Sequence, residues 1–324
     1  MKLLKLVPET TNIEFTRWRS LAMGISLLLI VASIALVAVR GLNLGVDFVG
    51  GQMVRVTFAQ PVVVDELRET VDALGQGEPT IQQFGSPKDV SIRMPLPKGG
   101  EGAANAAAIK LKSAIAAKYP GAKFGSVDTV SGKVSGELFR TGAIAMGLAM
   151  IAISIYIWFR FEWQFGFGSL FALVHDVALT FGFFALTRLE FDLNGVAAVL
   201  TIIGYSLNDT IVVYDRIREN LRKYRKMEIV PLLDLSVNET LSRTIMTSLT
   251  MIIALSCLLL WGPEVIFGFT AAMLLGIFVG TYSSIYMAAP MLVWLKVGPH
   301  SFVPKEAAAA KGAERIGAGD GARP

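Results

Sequence analysis

Long apolar runs broken by short polar links dominate this chain. Six of them, at residues 21–39, 138–159, 165–186, 193–214, 244–261 and 265–295, are long enough to predict membrane-crossing helices. The first has 19 residues without a charge, about 28 Å at 1.5 Å per residue, against a hydrocarbon core of about 30 Å. A secretory signal would carry a shorter apolar region of about 7–15 residues, so this run reads as an uncleaved first span. The last has 31 residues, long for one upright crossing, and Gly276, Gly280 and Pro290 within it allow a tilt or kink.

Residues 40–137 carry a different pattern. Residues 52–59 alternate apolar and polar side chains as a half-buried strand does, and residues 63–74 have helical spacing. Residues 80–84 and 89–94 predict two more strands joined by a turn at 85–88. Residues 103–118 predict an Ala- and Lys-rich helix, and 123–130 a last strand. The order β-α-β-β-α-β predicts a split βαβ, ferredoxin-like α+β domain. Gly-rich residues 95–105 read as a flexible loop within it.

Composition agrees with a membrane protein. The chain is 53% hydrophobic and 17% charged, below the roughly 25% charge of soluble domains. Its mean hydropathy is +0.55 and its pI about 9.1. The excess of Lys and Arg lies at the borders of the apolar runs rather than in a basic domain, which argues against nucleic acid as a partner. Arg216, Arg218, Arg222, Lys223, Arg225 and Lys226 crowd into one polar segment, read as a basic loop over residues 215–243. Such clusters stay cytoplasmic, which predicts cytoplasmic N- and C-termini, with residues 40–137 on the far side. The N-terminal residues 1–20, with Lys2, Lys5, Arg17 and Arg19, agree; the tail 296–324 reads as disordered.

No enzyme chemistry is visible. The single cysteine, Cys257, excludes an intrachain disulfide, and His175 and His300 form no zinc pattern. There is no dinucleotide fingerprint, no G-x-S-x-G elbow and no phosphate-binding loop, so neither cofactor nor metal is expected. GVDFVGG at 45–51 reads as a tight glycine entry into the first strand rather than a ligand loop.

The informative residues are ionisable groups inside apolar runs. Asp209 lies about 9 Å inside the border marked by Asp215. A carboxylate near mid-membrane costs roughly 2.5–3.5 kcal/mol on insertion scales, so it faces protein or water and marks a function by default, here a proton path. Its neighbour Asn208 either joins that path or holds helices together. Arg243, with Thr247 and Thr250 at helical spacing, either serves as counter-charge to Asp209 or extends its head to the interface. His175 and Asp176, near the centre of the third run, either extend a proton relay or form a buried packing network.

LGVDFVGG at 44–51, GYSLNDTIVVYDRIREN at 204–220 and TLSRTIMTS at 240–248 together resemble the SecF family over residues 15–300. The resemblance implies membership of the resistance–nodulation–division superfamily, in the bacterial inner membrane, with six spans around one extracytoplasmic domain. It implies a heterodimer with SecD, association with YajC, and action on preprotein emerging from the SecYEG channel, driven by the proton-motive force. It also implies that Asp209 and Arg243 belong to the proton pathway, since they match the Asp and Arg of the family's Asn-Asp-Thr and Ser-Arg-Thr motifs. The alternative expectation is half of a proton-driven small-molecule or lipid exporter of the same superfamily.

Overall fold

The computed structural model describes residues 11–84 and 86–298. The expected disorder of the C-terminal tail lies outside the described residues. After a short 3-10 turn, Phe15–Trp18, the chain runs α1 (Arg19–Arg40), α2 (Val46–Val49), β1 (Gly51–Thr57), α3 (Val64–Asp72), β2 (Thr80–Phe84), β3 (Ser86–Met94), α4 (Gly100–Lys118) and β4 (Lys123–Val130). Then follow α5 (Gly132–Arg160), α6 (Trp163–Thr187), α7 (Leu193–Lys223), α8 (Ile229–Trp261) and α9 (Phe267–Ser283). One π turn, Ser284–Ala288, leads into α10 (Ala289–Trp294).

Six helical segments are long and apolar enough to cross a membrane; the last joins α9, the π turn and α10. In the middle of the bundle, α7 packs on α6, α8 and α9, and α1 packs on α6. Close approach of α7 and α9 depends on small residues: a Cβ at Gly280 would lie 3.1 Å from the Ser206 Cβ, and one at Gly276 would run into Ile202. By contrast α5 exposes Ile144, Leu148, Ile151 and Ile155, an apolar surface suited to lipid or to another apolar helix. Where the sequence allows a tilt or kink, the helix changes to a π turn. Pro290 has no N–H to offer the carbonyl four residues back, and the helix widens over the turn before it.

Between α1 and α5 a four-stranded antiparallel sheet has the order β2-β3-β1-β4. Period-2 alternation puts Val54, Val56, Val90, Ile92 and Met94 on one face, where Leu67 and Val71 of α3 and Leu111 and Ile115 of α4 complete the core. The other face carries Arg55 and Arg93 toward the membrane helices.

Two expectations need correction. Gly100–Asn105 is not loop but the first turns of α4: Ala104 is buried and its carbonyl accepts from Gln52 Nε2 at 3.0 Å, so packing overrides the low helix propensity of glycine. Residues 215–243 are not a loop either. Helices α7 and α8 run on through them and leave only the link 224–228. Arg, Lys and Glu are good helix formers, and Arg216 ties the two extensions by bonding Glu219 at 2.6 Å and Glu239 at 2.7 Å. The N-terminal segment docks on the same extension, where Thr16 N and Oγ1 both donate to Asp234 Oδ1.

Candidate functional site

The intramembrane carboxylates meet at the centre of the bundle. Asp209 of α7 is buried. Its Oδ1 accepts from Thr244 Oγ1 of α8 at 2.6 Å, and its Oδ2 accepts from Ser284 Oγ at 2.9 Å. Asp176 of α6 is fully buried. Its Oδ2 accepts from Ser206 Oγ of α7 at 2.5 Å and from Ser283 Oγ at 2.8 Å, and its Oδ1 lies 2.8 Å from His175 Nδ1. Ser283 and Ser284 are consecutive residues at the start of the π turn, so one backbone step joins the two carboxyl groups. Ser206, three residues before Asp209, closes the circuit on α7.

The geometry follows from helix periodicity. Positions 206 and 209 share one face of α7, and that face meets both α6 and the end of α9. In a regular helix, consecutive residues lie about 100° apart. Ser283 and Ser284 therefore point to different neighbours. A hydroxyl rotates to donate to a carboxylate or accept from a carboxylic acid, so this network serves a protonated or an ionised carboxyl without moving a helix. A second chain of hydroxyls runs beside it: Tyr205 donates to Ser248 at 3.1 Å, and Ser248 lies 2.8 Å from Thr281 Oγ1. His175 Nε2 is buried with no hydrogen-bond partner among the described residues.

Asp209, Asp176 and His175 are thus brought into one buried region, while Asn208 and Arg243 are not. Both are exposed on the outer face of the bundle, with Thr247 and Thr250. Arg243 is near enough for its charge to act on Asp209 but makes no ion pair with it. Thr244, one residue on, takes the inward position instead. The polar stripe Arg243, Thr247, Thr250 exists, but it faces out, with the threonine hydroxyls donating to carbonyls of their own helix.

Sequence reasoning missed Ser206, Thr244, Ser283 and Ser284. The adjacent serines inside the last apolar run were the available signal. The glycine motif does what its composition suggests. Gly50 and Gly51 have φ of 75° and 115°, and a Cβ on Gly51 would lie 2.7 Å from the Met94 carbonyl oxygen. The preceding turn, α2, sets Phe48 against Phe139 of α5 and Phe191 of the α6–α7 link.

Comparison with known proteins places this architecture. Residues 110–298 match the family described as Protein export membrane protein SecD/SecF, C-terminal, and residues 35–62 match the SecD/SecF GG Motif. Among relatives, Protein translocase subunit SecF of Rhodobacter capsulatus is 44% identical over 304 residues, covering 90% of this chain and 91% of the relative. The protein of that name from Rickettsia akari is 43% identical over 291 residues, covering 89% and 94%. The crystal structure of SecDF, a translocon-associated membrane protein from Thermus thermophilus, superposes with a TM-score of 0.81 at 34% identity over 90% of this chain. This chain spans 40% of that SecDF chain. With relatives matched over nine-tenths of their length and both family descriptions met in order, the chain belongs to the SecF family of protein translocase subunits.

Proposed function

We propose that this chain is the SecF half of an accessory to the protein translocase, using the proton-motive force to promote late export and release of preproteins. In this reading it sits in the inner membrane with both termini cytoplasmic, and its α+β domain is a periplasmic, ferredoxin-like unit. The strand order β2-β3-β1-β4 with a helix after β1 and after β3 supports that class. SecD is the partner, and SecYEG, YajC and the emerging preprotein are the wider assembly.

The observation that carries the reading is the hydroxyl-bridged pair Asp176 and Asp209. Buried carboxyls with no Arg or Lys ion pair among the described residues, ringed by groups that donate or accept, suit a group that gains and loses a proton. His175 lengthens that path on one side. Asn208 and Arg243 complete it from the outer face: a polar stripe at membrane depth needs a polar cover, and the matching half of SecD supplies one. A proton falling through 100 mV releases about 2.3 kcal/mol, enough to bias a two-state domain movement by roughly fifty-fold. The exporter alternative gains no support from relatives that are translocase subunits along nine-tenths of the chain.

The test is preprotein release from inverted membrane vesicles with and without an imposed proton gradient. Asp209→Asn abolishes the gradient-dependent part if Asp209 carries the proton. Full stimulation in an intact complex overturns the reading.

A further inference from the structure

The joint between the α+β domain and the membrane helices is built from two links. Residues 41–45 leave α1, residues 188–192 join α6 to α7, and the two pair side by side. Phe191 N donates to Asn43 O at 2.7 Å and Gly45 N to Phe191 O at 2.9 Å, a parallel bridge between Leu44 and Phe191. Asn43 Nδ2 donates to Arg188 O at 2.8 Å, Arg188 Nη1 returns to the carbonyls of Arg40 and Gly41, and Leu193 N donates to Asp47 Oδ2. Backbone and side-chain bonds together hold this part of the joint.

Among the described residues the sheet meets the 188–192 link through one ion pair, while Arg93 Nη1 of β3 donates to the Leu44 carbonyl of the 41–45 link at 2.9 Å. Arg55 of β1 is forked: Nη1 bonds Asp128 Oδ2 of β4 at 2.7 Å, and Nη2 reaches Glu190 Oε2 at 3.5 Å. Both side chains of the latter pair are largely buried, 11% and 21% exposed. Beside them lies a cavity of about 40 Å³, lined in part by Arg55, Ser91, Glu190, Asp192 and Phe267, large enough for a water or two.

We propose that Glu190 is a coupling residue, a protonatable tie whose charged form holds the sheet to the α6–α7 link through Arg55 and whose neutral form releases it. An ionised carboxylate at this depth cannot lose its guanidinium without leaving a buried charge unpaired, whereas a neutral acid can. The water-sized cavity gives the Arg55 head room to move away. Burial lifts the Glu190 carboxyl to about 7, within the range a cell envelope samples; Arg55 and Arg93 pull it down, and Asp192 and Asp47 push it up. These are the charged groups that face it among the described residues, with Asp128 acting through Arg55. Val265, Phe267, Gly268 and Phe269 add no titratable group. The inference is separate from the path through Asp209, because the tie lies at the domain joint, outside the spans.

The test is a distance measurement on the full chain in lipid nanodiscs. Spin labels at Glu69→Cys on α3 and Trp261→Cys at the end of α8, in a Cys257→Ser background, report the domain against the bundle. Both positions are exposed. The wild-type distance distribution is narrow at pH 8.5 and broadens or shifts below pH 6, with a midpoint near 7. Glu190→Gln shows the low-pH distribution at every pH, and Glu190→Asp keeps a titration with a displaced midpoint. Arg55→Gln, which removes the tie from the sheet side, also shows the low-pH distribution throughout and serves if Glu190→Gln fails to insert. A wild-type distribution that ignores pH, or a pH response that survives in Glu190→Gln or Arg55→Gln, overturns the proposal. The readout is a distance rather than export, so it is decided whether or not Asp209 carries protons.

Discussion

Asp176 and Asp209, on different helices, are held by consecutive residues of a third: Ser283 donates to Asp176 Oδ2 at 2.8 Å, and Ser284 donates to Asp209 Oδ2 at 2.9 Å. The two serines sit where α9 gives way to the π turn, a wide turn of a kind frequent at functional sites. A shift of that turn would move both donors at once, since one backbone step joins them.

The two serines are not equivalent. Asp176 Oδ2 has a second donor in Ser206, whereas Asp209 Oδ2 has Ser284 alone among the described residues. Ser284→Ala leaves a buried acceptor without a partner and costs about 1–3 kcal/mol; Ser283→Ala costs less, about 1 kcal/mol. Adding Ser206→Ala to Ser283→Ala costs more than the sum of the singles, because only together do they strip that oxygen. Unfolding of the purified protein in detergent measures all four, and equal costs for the two serine singles would contradict this geometry.

A neighbouring pair separates packing from partnership. Thr244 faces Asp209 inside the bundle, and Arg243 faces out. Thr244→Val therefore destabilises the isolated chain by about 1–3 kcal/mol. Arg243→Gln leaves that stability within about 0.5 kcal/mol but, on the proposed reading of the outer face, weakens assembly with SecD. Unfolding of the chain alone, set against co-purification of the partner, tells the two apart. A large loss of stability in Arg243→Gln alone would show that the arginine holds the bundle from within.

That pair also marks what could be read from the chain beforehand. Asp209, Asp176 and His175 stood out because a charge in an apolar run has few innocent explanations. In the α+β domain the first strand was legible from the alternation of residues 52–59, and it forms as β1 at Gly51–Thr57. Which face of α8 turns inward was not legible. Spacing places Arg243, Thr247 and Thr250 on one stripe, but the rotation of a helix about its own axis is set by its neighbours. Ser283 and Ser284 were hidden for the same reason: their partners lie 107 and 75 residues away, and serine is common in membrane helices. The charged ends of α7 and α8 looked like loop because polarity suggests solvent, and solvent-exposed helix has the same composition.

The glycine entry to β1 offers a test of backbone rather than chemistry. Gly51 has φ of 115°, a region L side chains rarely adopt, and its absent Cβ faces the Met94 carbonyl at 2.7 Å. Gly51→Ala must both strain the backbone and push β3 away, for a cost of about 1–3 kcal/mol or more. Gly24, in the lipid-level part of α1, has open space at its Cβ, so Gly24→Ala is neutral or slightly stabilising. Protease sensitivity of the α+β domain in intact membranes reports the difference, rising for Gly51→Ala and not for Gly24→Ala.

Glu190 makes stability itself depend on pH, with a sign opposite to that of a carboxylate whose ion pair outweighs its burial. Its folded value, about 7, lies above the ordinary 4.5, chiefly because burial penalises the charge. The folded chain thus holds a proton that the unfolded chain has released between those two values, and stability falls as pH rises. The contribution is whole below about pH 4.5, fades as pH climbs through 7, and amounts to about 3 kcal/mol at most. Glu190→Gln carries no charge at any pH. It matches the wild type in acid and exceeds it above pH 7, by less than that ceiling because the bond to Arg55 is weakened. Asp192 is also raised by burial, but it is common to both proteins and largely cancels in their difference. Chemical unfolding at pH 5, 6, 7 and 8 yields the two curves. A wild type that gains on Glu190→Gln as pH rises would mean that the Arg55 pair outweighs burial in setting the Glu190 contribution to stability.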